Sequence, residues 1–380
     1  MISVLFVLTN SALNRGMNTG LENLCWGLAE RGVRVHVLAG GVKPEHHEYS
    51  LPDTVSYHFT GQSGANPASF LPVFEEIARE HPIETVVGWI INTALLASSP
   101  AAKDIRFIAN LGQMPPRSLL LRFLKQALLG RMKISEAYRL IAAIRKYPSI
   151  VDTVVSISDS VKSASVQKYR LLPDSCKVIS RGTDTEIFSF SLRNEKWDTP
   201  VEILFAGNVT YGKGVEDLAQ ALCLVRTPVL LRLCGRAEDE YIEQLKVVLS
   251  ETPHEIEHMG PVGQHELAGF YRQCDIFAFP SHSEGLGKVL IEAMSCGCPV
   301  VCSDIPPFKE VIENGQNGLM VPVRSSRALA DAIEQFIGDD ALRQKCSLNA
   351  RKTIEERFSK KLEIDQWMKI LSINPDQNST

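Results

Sequence analysis

Along the first forty residues the pattern of apolar positions changes period twice. Ser3–Thr9 is a continuous apolar run. Asn18–Arg31 then spaces Leu21, Leu24, Cys25 and Leu28 three or four residues apart, and Arg34–Leu38 returns to a continuous run. Strand, helix, strand is the reading, and strands apolar on both faces suit a parallel sheet covered on both sides. Further strands are predicted at Thr85–Ile90, Arg106–Asn110 and Thr153–Ile157.

The second half repeats the rhythm more clearly. Strands are predicted at Val201–Ala206, Val229–Cys234, Ile256–Met259, Asp275–Phe279, Pro299–Cys302 and Leu319–Val321. Helices fall between them at Val215–Val225, Asp239–Leu249, Gln264–Arg272, Gly287–Ser295 and Arg327–Ile337. The fold class is therefore α/β, with two Rossmann-like, doubly wound domains over residues 1–190 and 200–357. The polar stretch Ser189–Thr199 marks the expected boundary. The run Phe358–Ser372, with Leu362, Ile364, Trp367, Met368, Ile370 and Leu371, is expected as a terminal helix returning to the first domain.

Composition narrows the function classes. The 380 residues are 44% hydrophobic with a net charge of −4, which fits a globular chain and argues against a dedicated nucleic-acid binder. The charge is uneven. Residues 1–180 carry +5 and residues 181–380 carry −9, as expected of two domains with different partners. Nine cysteines, mostly inside apolar runs, read as buried thiols of a cytoplasmic protein. Cys296, Cys298 and Cys302 have no second pair or nearby histidine to make a metal site. The opening MISVLFVLTN lacks a basic flank and reads as a strand rather than a signal peptide. No apolar stretch is long enough to span a bilayer.

Arg117–Tyr147 stands apart, with eight basic residues against one acid, Glu136, interleaved with leucines and isoleucines. It reads equally as a peripheral contact with an anionic membrane face or as two ordinary helices with solvated charges.

The densest chemistry lies in Phe279-Pro-Ser-His-Ser-Glu-Gly-Leu-Gly-Lys-Val-Leu-Ile-Glu-Ala. A strand ends, and Gly285 and Gly287 bring bare backbone amides to a helix start, which is a ready anion site. Glu284 and Glu292 flank it. A carboxylate would repel a diphosphate but accepts hydrogen bonds from sugar hydroxyls, so Glu292 suits a ribose and Glu284 a transferred sugar. His282 beside Glu284 is either a base or a packed loop histidine. No Asp-x-Asp is present, so the sequence requires no divalent metal. His46-His47 has no matching ligand cluster.

Glu284 and Glu292, seven residues apart in Ser-Glu-Gly-Leu-Gly…Glu-Ala, resemble the E-x7-E signature of retaining GT-B glycosyltransferases of family 4. Gly16, Arg31-Gly32, Ser156-Ile-Ser158, Gly182-Thr-Asp184, Met259-Gly-Pro-Val262 and Gly315…Gly318 match in order along nearly the whole chain. The resemblance implies a donor that is a nucleotide-diphosphate sugar, UDP- or GDP-linked, and an acceptor hydroxyl on a sugar or a lipid-linked sugar. It implies no cofactor and no metal. Glu284 and Lys213 would be catalytic, with Lys213 on the diphosphate. Glu292 would hold the ribose. Gly285, Leu286 and Gly287 would meet the donor sugar and phosphate through their amides, and the Val262 backbone would meet the base. Gly16 would admit the ligands on the first domain, and the cleft between domains would be the reaction site. Cell-surface polysaccharide or glycolipid synthesis is the implied setting.

Two positions depart from that pattern. Asn208 stands where the family's catalytic arginine is usual, and Arg236 is the candidate to replace its charge. Asn110 and Gln113 stand where many members carry a histidine, and neither shuttles a proton at neutral pH. These departures motivate one rival, a sugar-nucleotide-binding scaffold without turnover; a second, a GT-B sugar-nucleotide epimerase, wants more acid and base groups than Asn110 and Gln113 supply. Gly207–Gly214 nearly spells a phosphate-binding loop of nucleotide hydrolases, but Gly214 replaces the hydroxyl that would bind Mg²⁺. Asp184 is expected either to meet the acceptor or to cap the following turn.

Overall fold

The computed structural model describes residues 2–8, 19–41, 55–61, 69–112, 151–192 and 200–372. Gly16, Gln113, His46-His47 and the whole of the basic segment 117–147 lie outside the described residues. The chain divides into two compact units, residues 1–180 with 363–380 and residues 181–362.

The first unit holds a seven-stranded, all-parallel sheet. Its strands are β1 (Ser3–Leu8), β2 (Arg34–Ala39), β3 (Val55–Phe59), β4 (Thr85–Gly88), β5 (Arg106–Leu111), β6 (Thr153–Ser156) and β7 (Cys176–Val178), in the order β3-β2-β1-β4-β5-β6-β7. The continuous apolar character of β1 is explained by burial on both faces. Val4 and Phe6 join one core with Leu24, Leu28 and Trp367, while Leu5 and Val7 join another with Phe70, Phe74 and Ile77. The terminal helix Lys360–Leu371 supplies Ile364, Trp367, Ile370 and Leu371 to the first of these cores. A side chain at Gly27 would meet Ile364 Cδ1 at 2.0 Å, so the helix Thr19–Glu30 needs glycine there to pack against the terminal one.

The second unit holds six parallel strands, β8 (Val201–Ala206), β9 (Val229–Cys234), β10 (Glu255–Gly260), β11 (Ile276–Phe279), β12 (Val300–Ser303) and β13 (Leu319–Val321), in the order β10-β9-β8-β11-β12-β13. In both sheets the order reverses beside the first strand, between β1 and β4 and between β8 and β11. Ligands of open α/β sheets bind at the carboxyl ends of strands at such a reversal.

Several boundaries differ from the sequence reading. The strand expected over Thr85–Ile90 stops at Gly88. Trp89 is extended, and its carbonyl accepts the Thr93 amide at 3.0 Å, opening a helix at Ile90. The division between units precedes the polar stretch Ser189–Thr199. Residues from Arg181 onward belong to the second unit, where Ser295 Oγ donates to the Phe188 carbonyl at 2.7 Å and the Ser191 amide to that of Cys296 at 3.0 Å. The helix Asp340–Arg357 was not foreseen. Its buried face is Arg343, Cys346, Ser347, Ala350 and Ile354, too polar to show as an apolar stripe. The nine cysteines are all unbridged, and Cys223 alone is exposed.

Candidate active site

Two loops build the site, both at carboxyl ends of the central strands of the second sheet. The first leaves β8 through Gly207 and Asn208, makes one 3₁₀ turn at Tyr211–Lys213, and enters the helix Val215–Leu222 at Gly214. The second leaves β11 and runs through Pro280–Gly287 into the helix Lys288–Ser295. The loops touch through backbone. The His282 amide donates to the Gly212 carbonyl at 3.1 Å. Gly214 is left-handed, at φ +71°, and a Cβ there would lie 2.1 Å from the Pro280 carbonyl oxygen. Only glycine permits both that conformation and that approach.

This contact brings Lys213 to Glu284. The ammonium forms an ion pair with Glu284 Oε1, and Ser281 Oγ donates to the same oxygen at 3.1 Å. Among the described residues no donor reaches Oε2, so half of the carboxylate keeps its accepting capacity. Glu284 is mostly buried and Lys213 partly so, which makes the pair stronger than an exposed one. Lys213 also stands 5.9 Å from the centre of the Phe279 ring.

Beside this pair, His282 Nε2 donates to Asp217 Oδ2 at 2.6 Å, and the Tyr211 ring meets the imidazole edge-on at 5.2 Å. The guanidinium of Arg324 lies 6.0 Å from the centre of the Tyr211 ring. Ser281, Asp217 and Tyr211 were not singled out from the sequence. Ser281 had a readable signal, since it lies three residues before Glu284. Asp217 had none, because its partner is 65 residues away.

The remaining predicted residues fall as follows. Gly285, Leu286 and Gly287 are buried at the start of the Lys288–Ser295 helix, and Gly287 is left-handed at φ +85°. Among the described residues the amides of Leu286 and Gly287 have no acceptor, which leaves donors at a helix N-terminus. Glu292 is 4% exposed and reaches Lys288 Nζ at 3.5 Å. Burial pushes its carboxyl above the usual range, and the Lys288 charge opposes that. Asn208 and Arg236 are exposed beyond β8 and β9, and the Val209 amide donates to the Arg236 carbonyl at 2.8 Å. Val262 is half-buried just past β10. In the first unit Asn110 is half-buried near the end of β5, with Oδ1 lacking a partner. Asp184 accepts the amides of Glu186 and Ile187 at 3.1 and 3.3 Å and pairs with Lys360 at 3.2 Å. It caps the following turn.

Comparison with known proteins supplies the family. The profile of Glycosyltransferase Family 4 matches residues 14–187, and that of Glycosyl transferases group 1 matches residues 188–353. An uncharacterized glycosyltransferase of Methanocaldococcus jannaschii is 29% identical over 219 residues, covering 54% of this chain and 56% of that one. The capsular polysaccharide biosynthesis glycosyltransferase CapM of Staphylococcus aureus is 26% identical, covering 55% and 58%. The chain thus spans a little over half the length of these relatives. A D-inositol 3-phosphate glycosyltransferase of Pseudarthrobacter chlorophenolicus is 26% identical over 86% of this chain and 83% of its own. Among solved structures, sucrose-phosphate synthase from Thermosynechococcus elongatus superposes with a TM-score of 0.79 at 17% identity, over 97% of this chain and 98% of that one. Anabaena HepE in complex with UDP-glucose gives 0.71 at 20% identity, over 98% and 100%. Among the described residues no helix is long and apolar enough to cross a membrane. Two glycosyltransferase profiles that abut at residue 187 and two doubly wound parallel sheets make this chain a GT-B-fold, family-4-like member of the glycosyltransferases.

Proposed function

We propose that this protein transfers a sugar, with retention at the anomeric carbon, from a nucleotide-diphosphate donor to a hydroxyl of a sugar or lipid-linked acceptor, without a metal in the reaction. The observation that carries this reading is the Lys213–Glu284 pair beside the acceptor-less amides of Leu286 and Gly287, at the strand-order reversal of the second sheet. A cation and helix N-terminal amides suit a diphosphate leaving group, and a carboxylate oxygen without a donor suits a sugar hydroxyl. Solved neighbours hold UDP or UDP-glucose, which makes uracil the first base to test.

In the proposed mechanism the acceptor hydroxyl approaches on the face from which the diphosphate departs. The bond from the anomeric carbon to the phosphate oxygen breaks, and a bond to the acceptor oxygen forms. The acceptor proton passes to the departing phosphate oxygen. Lys213 and the Leu286 and Gly287 amides stabilise the growing negative charge, an interaction strongest at the transition state. Glu284 orients the transferred sugar and Glu292 the ribose. Capsule-type relatives support a role in cell-surface polysaccharide or glycolipid synthesis.

The test is a thermal-shift panel of UDP, GDP, ADP and their glucose, N-acetylglucosamine and mannose conjugates. At a hundredfold its dissociation constant the correct ligand adds about 2.7 kcal/mol of stability. One base standing out fixes the donor. A panel with no response overturns the reading. Turnover insensitive to added Mg²⁺ after chelation is expected, and turnover that returns only with Mg²⁺ would refute the metal-free mechanism.

A further inference from the structure

At the edge of the first sheet, far along the chain from the Lys213–Glu284 pair, three histidines converge. His36 lies in β2, His58 in the edge strand β3, and His81 directly follows the helix Phe70–Glu80. Leu38 and His58 are registered across the β2–β3 pair, so His36, Leu38 and His58 share one sheet face. That face is the one covered by Phe70, Phe74 and Ile77 of the helix. His36 Nδ1 lies 3.2 Å from His58 Nε2. The His36 and His81 ring centres are 4.5 Å apart. One ring nitrogen from each histidine can be chosen so that all three lie within 4.8 Å of one another.

A cluster of ordinary core histidines would place its ring nitrogens in hydrogen bonds. Here His36 is 1% exposed, its Nδ1 is within hydrogen-bond distance of His58 Nε2, and among the described residues its Nε2 has no partner. Among the described residues no carboxylate bonds the three rings. Glu76 and Glu80 lie close enough for their charges to act on His58, and the charge of Arg34 acts on His36. We propose that His36, His58 and His81 form a zinc site that ties the edge strand β3 to β2 and to the end of the Phe70–Glu80 helix. Three imidazole nitrogens are a common zinc donor set, with the fourth position filled by water or a carboxylate oxygen. Tetrahedral bonds of about 2.0–2.1 Å set ligand nitrogens roughly 3.3 Å apart. The His36–His58 spacing of 3.2 Å already meets that, and a His81 ring nitrogen lies within 4.8 Å of both. The reaction proposed above uses no metal, so this ion would act on the fold.

The experiment uses the whole chain without a polyhistidine tag, stripped with chelator and dialysed. Zn²⁺ is titrated by calorimetry, and thermal unfolding is followed in parallel. One Zn²⁺ per chain and a raised unfolding midpoint are expected. The half-buried positions supply the variants His58→Gln and His81→Gln. Each should weaken Zn²⁺ binding by more than about a hundredfold, beyond the ten- to hundredfold typical of residues that merely support a ligand. The Co²⁺ form should show the d–d absorption of a four-coordinate site and lose it in both variants. Far-UV circular dichroism and a cooperative thermal unfolding transition of each variant serve as the folding control. Absence of stoichiometric Zn²⁺ binding, or binding unchanged in both variants, would overturn the proposal.

Discussion

The two strand-order reversals make an instructive pair, since the same topology is finished differently at each. At β8 and β11 the polar side chains hold one another in place. Lys213 and Ser281 share one oxygen of Glu284, and His282 is fixed by Asp217. Near β4, β5 and β6 of the first sheet, polar atoms are buried without partners among the described residues. Asn92 is 1% exposed with neither amide atom bonded, and Asn110 Oδ1 and Ser156 Oγ are also unmatched. The second unit is arranged before any ligand arrives. The first keeps hydrogen-bonding capacity unused, at a cost of about 1–3 kcal/mol for each unsatisfied group. A fold supplies the place for a site, and the loops decide how complete it is.

Four substitutions test this contrast, in order of expected effect. Gly214→Ala should destabilise the second unit by about 2–5 kcal/mol, combining left-handed strain with a clash against the Pro280 carbonyl. Gly32→Ala is the matched control in the first unit. It is left-handed too, at φ +81°, but opens onto empty space, so about 1–2 kcal/mol is expected. Equal losses in urea unfolding would show that the loop contact contributes nothing. Next, Lys213→Ala should weaken donor binding by about 1.5–3 kcal/mol, the scale of a hydrogen bond to a charged group. Unchanged affinity in calorimetry would remove Lys213 from the site. Third, Asn92→Leu should stabilise the first unit by about 1–3 kcal/mol, because it replaces a buried unbonded amide with an apolar group of similar shape. Destabilisation would mean that the amide is satisfied after all.

The smallest effect is expected from Glu292→Gln, and its sign depends on pH. Burial raises the Glu292 carboxyl above its unfolded value, so between the two values the folded state binds more protons than the unfolded state. Stability therefore falls as pH rises through that window. The variant should be slightly more stable than the parent at neutral pH. The gain should vanish as pH drops below the unfolded carboxylate range, while donor affinity falls at every pH. A stability gain that persists in acid would assign it to packing instead of charge.

The fold was legible because most of the strands are buried on both faces and read as continuous apolar runs separated by helical spacing. Lys213, Glu284 and Glu292 were legible because they sit in short local patterns. The Asp217 contact to His282 was not, since it joins loops that only the sheet brings together. His36, His58 and His81 are spaced by more than twenty residues, with no motif between them. Local spacing reveals a site made by one loop and conceals one made by three elements. Edge strand β3 and the helix Asp340–Arg357 escaped notice for a related reason: the burial of each, partial in β3, depends on distant neighbours and not on an apolar period.

The terminal helix carries a consequence for synthesis. The second unit is complete in sequence at Leu362, but the first unit's core includes Ile364, Trp367, Ile370 and Leu371. Domains usually fold in the order they emerge from the ribosome. Here the earliest strands wait, with one face of β1 covered only by the helix Thr19–Glu30, until the helix Lys360–Leu371 is released. The half of the protein that is made first is the half that finishes last, and its open sheet is the surface that a chaperone would meet.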